Sequence, residues 1–541
     1  MAHSLAGQPV RAEDLIQIQP LIDAYYNLAP NPKDKDQVVS FGTSGHRGVS
    51  TKGTFNDLHV ACIVQAVCDL RREFGATGPC FVGQDTHALS QVAFQTALEV
   101  LAGNKVLAAV DQDMGFVPTP SISRAIIRYN EVHEGLADGL IITPSHNPPD
   151  NGGIKYNPTN GGPADTDITQ RIEELANIYL VNYGEGIKRI SVDNIEPEAQ
   201  LAYDYKGLYV EELAQIIDMD AIKKAGLKIL VNGLGGSGAH YWQAISDQYD
   251  LGLTIINVDY DPTFSFMTYD HDGVVRMDCS SPYAMADVIK QIGSYDLAVG
   301  NDPDYDRYGV ITQEGLLNAN YYLLTAAAYL FESRSWPSQV GVGKTAVVTS
   351  QVDAWAQEAG RQVYEVPVGF KYFAPLLFDG RIGIGGEESA GASFLKKDGY
   401  VWTTDKDGII MCLLAMEMLA KTGKDPAEAY QLLAAQLGQT CFGRIDAPAN
   451  KEQKARLKSL SSDDLQTNSL AGDPILEART CSSYGNQPLG GLKVVTAKGW
   501  LVARPSGTED LYKIYGESSK GQAGLEKLLQ EGQELVDKAL N

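Results

Sequence analysis

The chain has 541 residues, 44% of them hydrophobic and 21% charged, with a net charge of −24. Such a length exceeds one ordinary core and implies about three to five domains, and the composition excludes a disordered chain. The acidity excludes a generic nucleic-acid surface, since phosphate backbones attract clusters of Lys and Arg, but it permits a locally basic cleft for a small anion. Seven cysteines (Cys62, Cys68, Cys80, Cys279, Cys412, Cys441, Cys481) show no CxxC spacing, which fits reduced thiols better than disulfides or a zinc site. No apolar run reaches the ~18 residues of a membrane span, and the opening MAHSLAGQPVRAEDL lacks the apolar centre of a secretion signal. The expected setting is the cytoplasm, without a membrane partner.

In chain order, strand-like and helix-like segments alternate, the pattern of α/β layering. CFVG (80–83), VLAAV (106–110) and LIIT (140–143) are short apolar runs. Between the first two, Phe94, Ala97, Leu98 and Leu101 share a helical face that ends at Gly103. After a polar interval near 185–205 the cycle restarts: helix GLYVEELAQIIDM, strand LKILVN, a glycine-rich turn, helix AHYWQAISDQYD and strand LTIINVD. It restarts again near 320 with helix NYYLLTAAAYLFES, and AVVTS is expected to open a strand–helix–strand run. Beyond 440, LKVVTAKGWLVARPSGTEDLYKIYGES reads as paired strands, closed by a helix with Leu525, Leu528, Leu535 and Ala539 on one face. The expected fold is α/β: three α/β domains (1–205, 206–322, 323–440) and a C-terminal α+β domain (441–541).

Four loops carry the chemistry. In IITPSHNPPDNGGIKYN, Ser145 follows an apolar strand, as a nucleophile or phosphate acceptor held by a rigid sheet would. His146 is adjacent and Lys155 lies beyond a turn that could fold the chain back, while the G-x-S-x-G elbow of a serine hydrolase is absent. In LAVGNDPDYDRYGV, Asp302, Asp304 and Asp306 alternate directly after a strand. Carboxylates this close repel unless a hard divalent cation neutralises them. An EF-hand loop fails here, since its glycine and glutamate positions hold Arg307 and Gln313. Arg307 is placed to meet a phosphoryl oxygen. In GIGGEESAGASF, Glu387, Glu388 and Ser389 form a polar set suited to sugar hydroxyls, and Lys397 follows in KKDG. In ARPSGTEDLYKIY, Arg504, Ser506, Gly507 and Thr508 offer the guanidinium, hydroxyls and backbone N–H groups that a phosphate monoester requires. SFGTSGHRGVS adds Arg47 in a glycine-rich loop.

A competing signal is the G-x-G-x-x-G at Gly233, Gly235 and Gly238, between a strand and a helix, with Asp259 at the end of the next strand. These are the parts of a dinucleotide fingerprint. Nothing else in the sequence assembles a hydride-transfer site, and such turns also serve packing alone.

In order, TPSHNPPDNGGIKYN, GNDPDYDRYG, GGEESAGA and RPSGTEDLYKIY resemble the four active-site motifs of the α-D-phosphohexomutase superfamily, one per domain. The GEES form is similar to the bacterial-type, glucose-specific phosphoglucomutase branch. The resemblance spans essentially the whole chain. It implies four domains around a central cleft and conversion of glucose 1-phosphate to glucose 6-phosphate through glucose 1,6-bisphosphate. It further implies that Ser145 is phosphorylated and shares Mg²⁺ with Asp302, Asp304 and Asp306, while Arg47 and Arg307 hold the transferring phosphoryl group. Glu387, Glu388 and Ser389 would grip the sugar, and Arg504, Ser506, Gly507 and Thr508 the other phosphate. His146, Lys155 and Lys397, the last matching the lysine of the family's Lys-Asp-Gly segment, complete the catalytic set. The expected partners are small sugar phosphates, for a chain acting as monomer or homodimer, and the 233–238 turn would be structural.

Overall fold

Each of the apolar runs that closes a helix–strand cycle becomes the central strand of a sheet, because both of its faces are covered. Asp138–Ile142, Leu297–Asn301 and Ile382–Gly386 are buried throughout. The structure, a computed structural model, describes residues 2–42, 44–465, 467–506 and 511–540.

Three mixed sheets repeat one plan. In the first, Asp138–Ile142 lies parallel to Cys80–Gln84, which lies parallel to Ala108–Asp111, and the antiparallel strand Asn151–Asn157 flanks the other side. In the second, Leu297–Asn301, Ile229–Asn232 and Thr254–Ile256 are parallel and Tyr308–Thr312 is antiparallel. In the third, Ile382–Gly386, Gly341–Thr345 and Val363–Val366 are parallel and Ala392–Phe394 is antiparallel. The turn from the central parallel strand into its antiparallel partner is the serine loop in the first sheet, the Asp-x-Asp-x-Asp loop in the second and the Glu-Glu-Ser loop in the third. The repeated plan thus presents three chemically different loops from equivalent places, at the C-terminal ends of parallel strands where open α/β sheets bind ligands.

One core spans the second and third sheets, from Ile229 and Val231 to Ile382 and Ile384. At its centre the helix Gly408–Thr422 is buried almost all round, from Ile409 to Met418. Asp407 caps it by accepting from the Ile409 and Ile410 N–H groups. The second and third loops therefore sit on a single rigid body.

The last sheet is antiparallel, with Gly499–Pro505 between Pro488–Thr496 and Leu511–Ser518. The helix Gly521–Leu540 covers it through Leu525, Leu528 and Leu529. This part docks on the third sheet through Val347, Trp500, Val502 and Tyr515, and through buried Lys493, whose ammonium donates to Glu365 Oε2 (2.8 Å) and to the Ala346 carbonyl (2.8 Å).

Two expectations are corrected. AVVTS does not open the strand; Gly341–Thr345 is the strand, and in the apolar run beyond it Val347 packs with Trp500 and Val502 while Val348 enters the core of the second and third sheets. The boundary at 322 falls inside the continuous helix Ala319–Ser333, which packs against the third sheet, so the break lies before that helix. Among the described residues no helix is long and apolar enough to cross a membrane, and all seven cysteines are unpaired.

Candidate active site

The serine and aspartate loops meet although they belong to different sheets. The Ser145 hydroxyl donates to Asp302 Oδ2 at 3.1 Å, and Ser145 is only 1% exposed. Its φ of +60° lies in the left-handed region, which a non-glycine residue adopts at a cost of order 1–3 kcal/mol. Tyr305 (φ +62°) and Ala390 (φ +64°) do the same in the second and third loops. His146 Nδ1 is 3.4 Å from Ser145 Oγ, a long contact. Burial and the neighbouring Arg307 push the His146 imidazole well below its ordinary pKa, which keeps the ring neutral.

Asp302, Asp304 and Asp306 are buried and place carboxylate oxygens within 4.8 Å of one another. Burial, with Asp304 and Asp306 adding to it, raises Asp302 well above the usual carboxylate range. Burial also acts on Asp306, but Lys406, Lys155 and Arg307 outweigh it and hold that group far below the range. Asp304 Oδ1 and Asp306 Oδ1 are buried without a hydrogen-bond partner. Such oxygens are costly unless coordinated, and an all-carboxylate donor set suits a hard divalent cation. The residues therefore fit a metal.

Cations ring these carboxylates. Lys155 Nζ is 2.7 Å from Asp304 Oδ2 and 3.2 Å from Asp306 Oδ2. Lys406 Nζ lies 2.8 Å from Asp306 Oδ2. Gly391 allows that approach, since a Cβ there would stand 2.3 Å from Lys406 Cδ. The Arg307 backbone N–H donates to Asp302 Oδ1 (3.0 Å), and the guanidinium Nε lies 3.8 Å from Asp306 Oδ1, buried and without a hydrogen-bond partner among the described residues. Arg47 donates to Asn147 Oδ1 (3.1 Å) and Ser44 Oγ (3.2 Å), beside the serine loop.

Lys397 is not brought here. Its ammonium donates to the Ala214 and Ile217 carbonyls, each at 2.9 Å. The chain contains two Lys-Asp-Gly segments, at 397–399 and 406–408, and the second supplies the site lysine. Sequence reasoning missed Lys406 for that reason. It also missed Asp405, whose buried carboxylate accepts from Asn157 Nδ2 (2.9 Å).

Glu387 accepts from the Gly369 N–H (3.1 Å); burial, opposed by Lys406 and reinforced by Glu388, pushes its pKa up to about 7. Glu388 accepts from the Thr345 hydroxyl at 3.3 Å, and Glu388 and Ser389 are half-buried at the tip of the turn. The second and third loops are joined by backbone, with the Tyr308 N–H donating to the Ala390 carbonyl (3.1 Å). In the last domain, Arg504 has a buried Nε without a hydrogen-bond partner among the described residues, and Ser506 is buried near it in the chain. Gly507 and Thr508 lie outside the described residues. A cavity runs along Ser44, Lys155, Asp306, Phe370, Glu387 and Lys406.

The glycine-rich 233–238 turn is filled from within. A Cβ on Gly238 would stand 2.4 Å from the Tyr305 ring, and the Tyr305 hydroxyl donates to the Gly233 carbonyl (3.0 Å). The glycines admit the aspartate loop, leaving no space there for a pyrophosphate.

Four successive stretches match the phosphoglucomutase/phosphomannomutase family: α/β/α domain I over 38–179, domain II over 208–315, domain III over 318–436 and the C-terminal domain over 452–533. A phosphoglucomutase of Komagataeibacter xylinus is 50% identical over 535 residues, covering 98% of this chain and 96% of that protein. The chain belongs to the phosphoglucomutase/phosphomannomutase family. Phosphoglucomutase 1 of Drosophila melanogaster is 26% identical over 515 residues, covering 89% of this chain and 88% of that one. The solved open form of Paramecium parafusin superposes with a TM-score of 0.74 at 21% identity, over 94% of this chain and 96% of that one, which shows the shared fold. Phosphoglucomutase/phosphomannomutase membership agrees with the serine, aspartate and glutamate loops of the first three domains meeting around the carboxylate cluster.

Proposed function

We infer that the chain catalyses the reversible interconversion of glucose 1-phosphate and glucose 6-phosphate, with Ser145 as phosphoacceptor and glucose 1,6-bisphosphate as intermediate. The observation that carries the assignment of roles is the 3.1 Å approach of the Ser145 hydroxyl to a buried carboxylate trio ringed by Lys155, Lys406 and the Arg307 guanidinium.

Phosphorylated Ser145 transfers its phosphoryl group to O6 of glucose 1-phosphate: the Oγ–P bond breaks and the O6–P bond forms. The bisphosphate then turns end for end, and its 1-phosphate returns to Ser145, leaving glucose 6-phosphate. Positioning and charge neutralisation dominate such transfers. Arg47 and Arg307 hold the moving phosphoryl oxygens. Lys155 and Lys406 are the candidates for handling the proton of the attacking hydroxyl. Glu387, Glu388 and Ser389 accept from and donate to sugar hydroxyls, and Arg504 with Ser506 holds the phosphate that is not reacting. Asp302, Asp304 and Asp306 would hold Mg²⁺, which supplies charge neutralisation at the phosphoserine.

Unpaired cysteines and a phosphosugar substrate suit a cytoplasmic setting. The test is ³¹P NMR of glucose 1-phosphate with Mg²⁺ and a trace of glucose 1,6-bisphosphate. Build-up of the 6-phosphate signal with the natural chain and not with Ser145→Ala supports the reading; inorganic phosphate alone contradicts it.

A further inference from the structure

Ser145 holds a left-handed backbone conformation, and something must over-determine it. The restraint comes from the segment Gln84–Ser90, which carries no substrate group. The Ser145 N–H donates to Thr143 Oγ1 (2.8 Å), and the Thr143 hydroxyl donates to Asp85 Oδ2 (2.6 Å). Asp85 also accepts from the Ser90 hydroxyl (2.5 Å) and the His87 N–H (3.0 Å). His87 Nδ1 lies 2.9 Å from Asp85 Oδ2, and His87 Nε2 lies 3.0 Å from the Asn147 carbonyl. Asn147 in turn receives Arg47 on its side-chain oxygen at 3.1 Å. Asp85, His87, Ser90 and Thr143 are all buried.

The chemistry of these contacts fixes the charge state. Both imidazole nitrogens face acceptors, a carboxylate and a carbonyl. The carboxylate already accepts from a backbone N–H and two hydroxyls, which stabilise its ionised form, so the shared proton rests on the ring. Burial opposes the charge on both groups, yet the pair holds Asp85 below and His87 above its ordinary pKa. A buried imidazolium–carboxylate pair with every polar atom used is stiff, since each bond has fixed geometry and no water competes.

We propose that His87, fixed by Asp85, is a positioning residue for phosphoryl transfer: it clamps the Asn147 carbonyl and so sets both the turn that aims Ser145 and the anchor of Arg47. Thr143 clamps the same turn from its start. The loop is thus gripped at both ends from a single carboxylate, and the nucleophile and the phosphoryl-binding arginine are placed together. This rests on Ser145 as the phosphoacceptor. Because His87 acts on the aim of the reacting atoms and touches no substrate group, its loss falls on kcat more than on KM.

The test compares His87→Ala, His87→Arg and Tyr25→Phe in the full chain, measuring kcat and KM for glucose 1-phosphate and phosphorylation of Ser145 by glucose 1,6-bisphosphate. His87→Ala should lower kcat by about 30-fold or more with KM changed by less than about threefold, and slow Ser145 phosphorylation in parallel. His87→Arg, whose guanidinium can give two N–H groups to Asp85 and a third to the Asn147 carbonyl, should recover kcat to within about fivefold. Tyr25→Phe removes a buried hydroxyl bonded to Thr96 elsewhere in the same domain and should leave kcat unchanged. If His87→Ala does not fold, Thr143→Val reads the same loop from its other end with the same expected split. Equal losses in kcat and KM, or no recovery with arginine, would overturn the proposal. A natural chain phosphorylated at a residue other than Ser145 would remove the phosphoacceptor assignment by itself, whatever the His87 variants do.

Discussion

Ser145 and Asp302, 157 residues apart in the chain and on different sheets, are joined by a 3.1 Å hydrogen bond between the serine hydroxyl and the carboxylate. Under the proposed assignment of Ser145 as phosphoacceptor, the contact makes the interface of the first two domains part of the reaction centre. Asp304 strengthens it from the same loop, since the Thr119 N–H donates to the Asp304 carbonyl (2.9 Å) and the Thr119 hydroxyl to Asp304 Oδ2 (2.8 Å).

The carboxylate trio stores repulsion that a cation relieves. In metal-free buffer, Asp302→Asn should therefore melt at or above the natural chain, because it removes the charge that burial, Asp304 and Asp306 disfavour most. Adding Mg²⁺ should raise the melting temperature of the natural chain and do so far less for Asp302→Asn, with affinity reduced roughly tenfold or more. Isothermal titration and thermal melts read both effects.

Lys406 and Lys397 separate by position, the first beside Asp306 and the second beside the Ala214 and Ile217 carbonyls. Lys406→Ala should lower kcat by about 100-fold, since it removes the ammonium that touches Asp306. Lys397→Ala should leave kcat within about twofold and cost only the two hydrogen bonds to the Ala214 and Ile217 carbonyls, roughly 1–2 kcal/mol. Steady-state rates and denaturant melts of both variants decide this.

How much of this was legible in the sequence follows from what each signal depends on. The Asp-x-Asp-x-Asp loop and the strand-end serine are local patterns, and local patterns survive in one dimension. The two Lys-Asp-Gly segments are locally equivalent; Lys406 reaches the site because Gly391 has no side chain in its path, a contact 15 residues away that no spacing rule reveals. The G-x-G-x-x-G turn misleads because glycines that admit Tyr305 look the same as glycines that admit a pyrophosphate. The threefold repeat of strand order is invisible since connectivity, not residues, is what recurs. AVVTS is apolar because Val347 faces the last domain and Val348 the core of the second and third sheets, a division that a run of residues does not reveal.

Gly238→Ala should test the filling of that turn. A methyl group 2.4 Å from the Tyr305 ring must displace the aromatic side chain that props the aspartate loop. The expected cost is about 1–3 kcal/mol of stability, with weakened Mg²⁺ binding, while NAD should leave the melting temperature of the natural chain unchanged. Stabilisation by NAD would contradict the packing role.

Glu387 predicts a pH effect. Its folded pKa of about 7 exceeds the ordinary 4.5, chiefly through burial. Between those values the unfolded chain has released a proton that the folded chain retains, so rising pH lowers stability across that window. Glu387→Gln keeps the acceptor for the Gly369 N–H and cannot ionise. It should match the natural chain near pH 4.5 and exceed it by about 1–3 kcal/mol above pH 7, as read from denaturant midpoints.

Arg504→Ala should weaken glucose 1-phosphate binding more than it slows phosphorylation of Ser145 by the bisphosphate, because Arg504 and Ser506 are proposed to hold the phosphate that is not reacting. Equal losses in both would contradict that division of labour.

The most direct test of the central claim is to incubate the chain with glucose 1,6-bisphosphate and Mg²⁺ and locate the acquired phosphate by peptide mass spectrometry. The account predicts one phosphate on Ser145, discharged on adding glucose 1-phosphate and absent from Ser145→Ala. A phosphate on another residue, or one on Ser145 that glucose 1-phosphate does not remove, would contradict it.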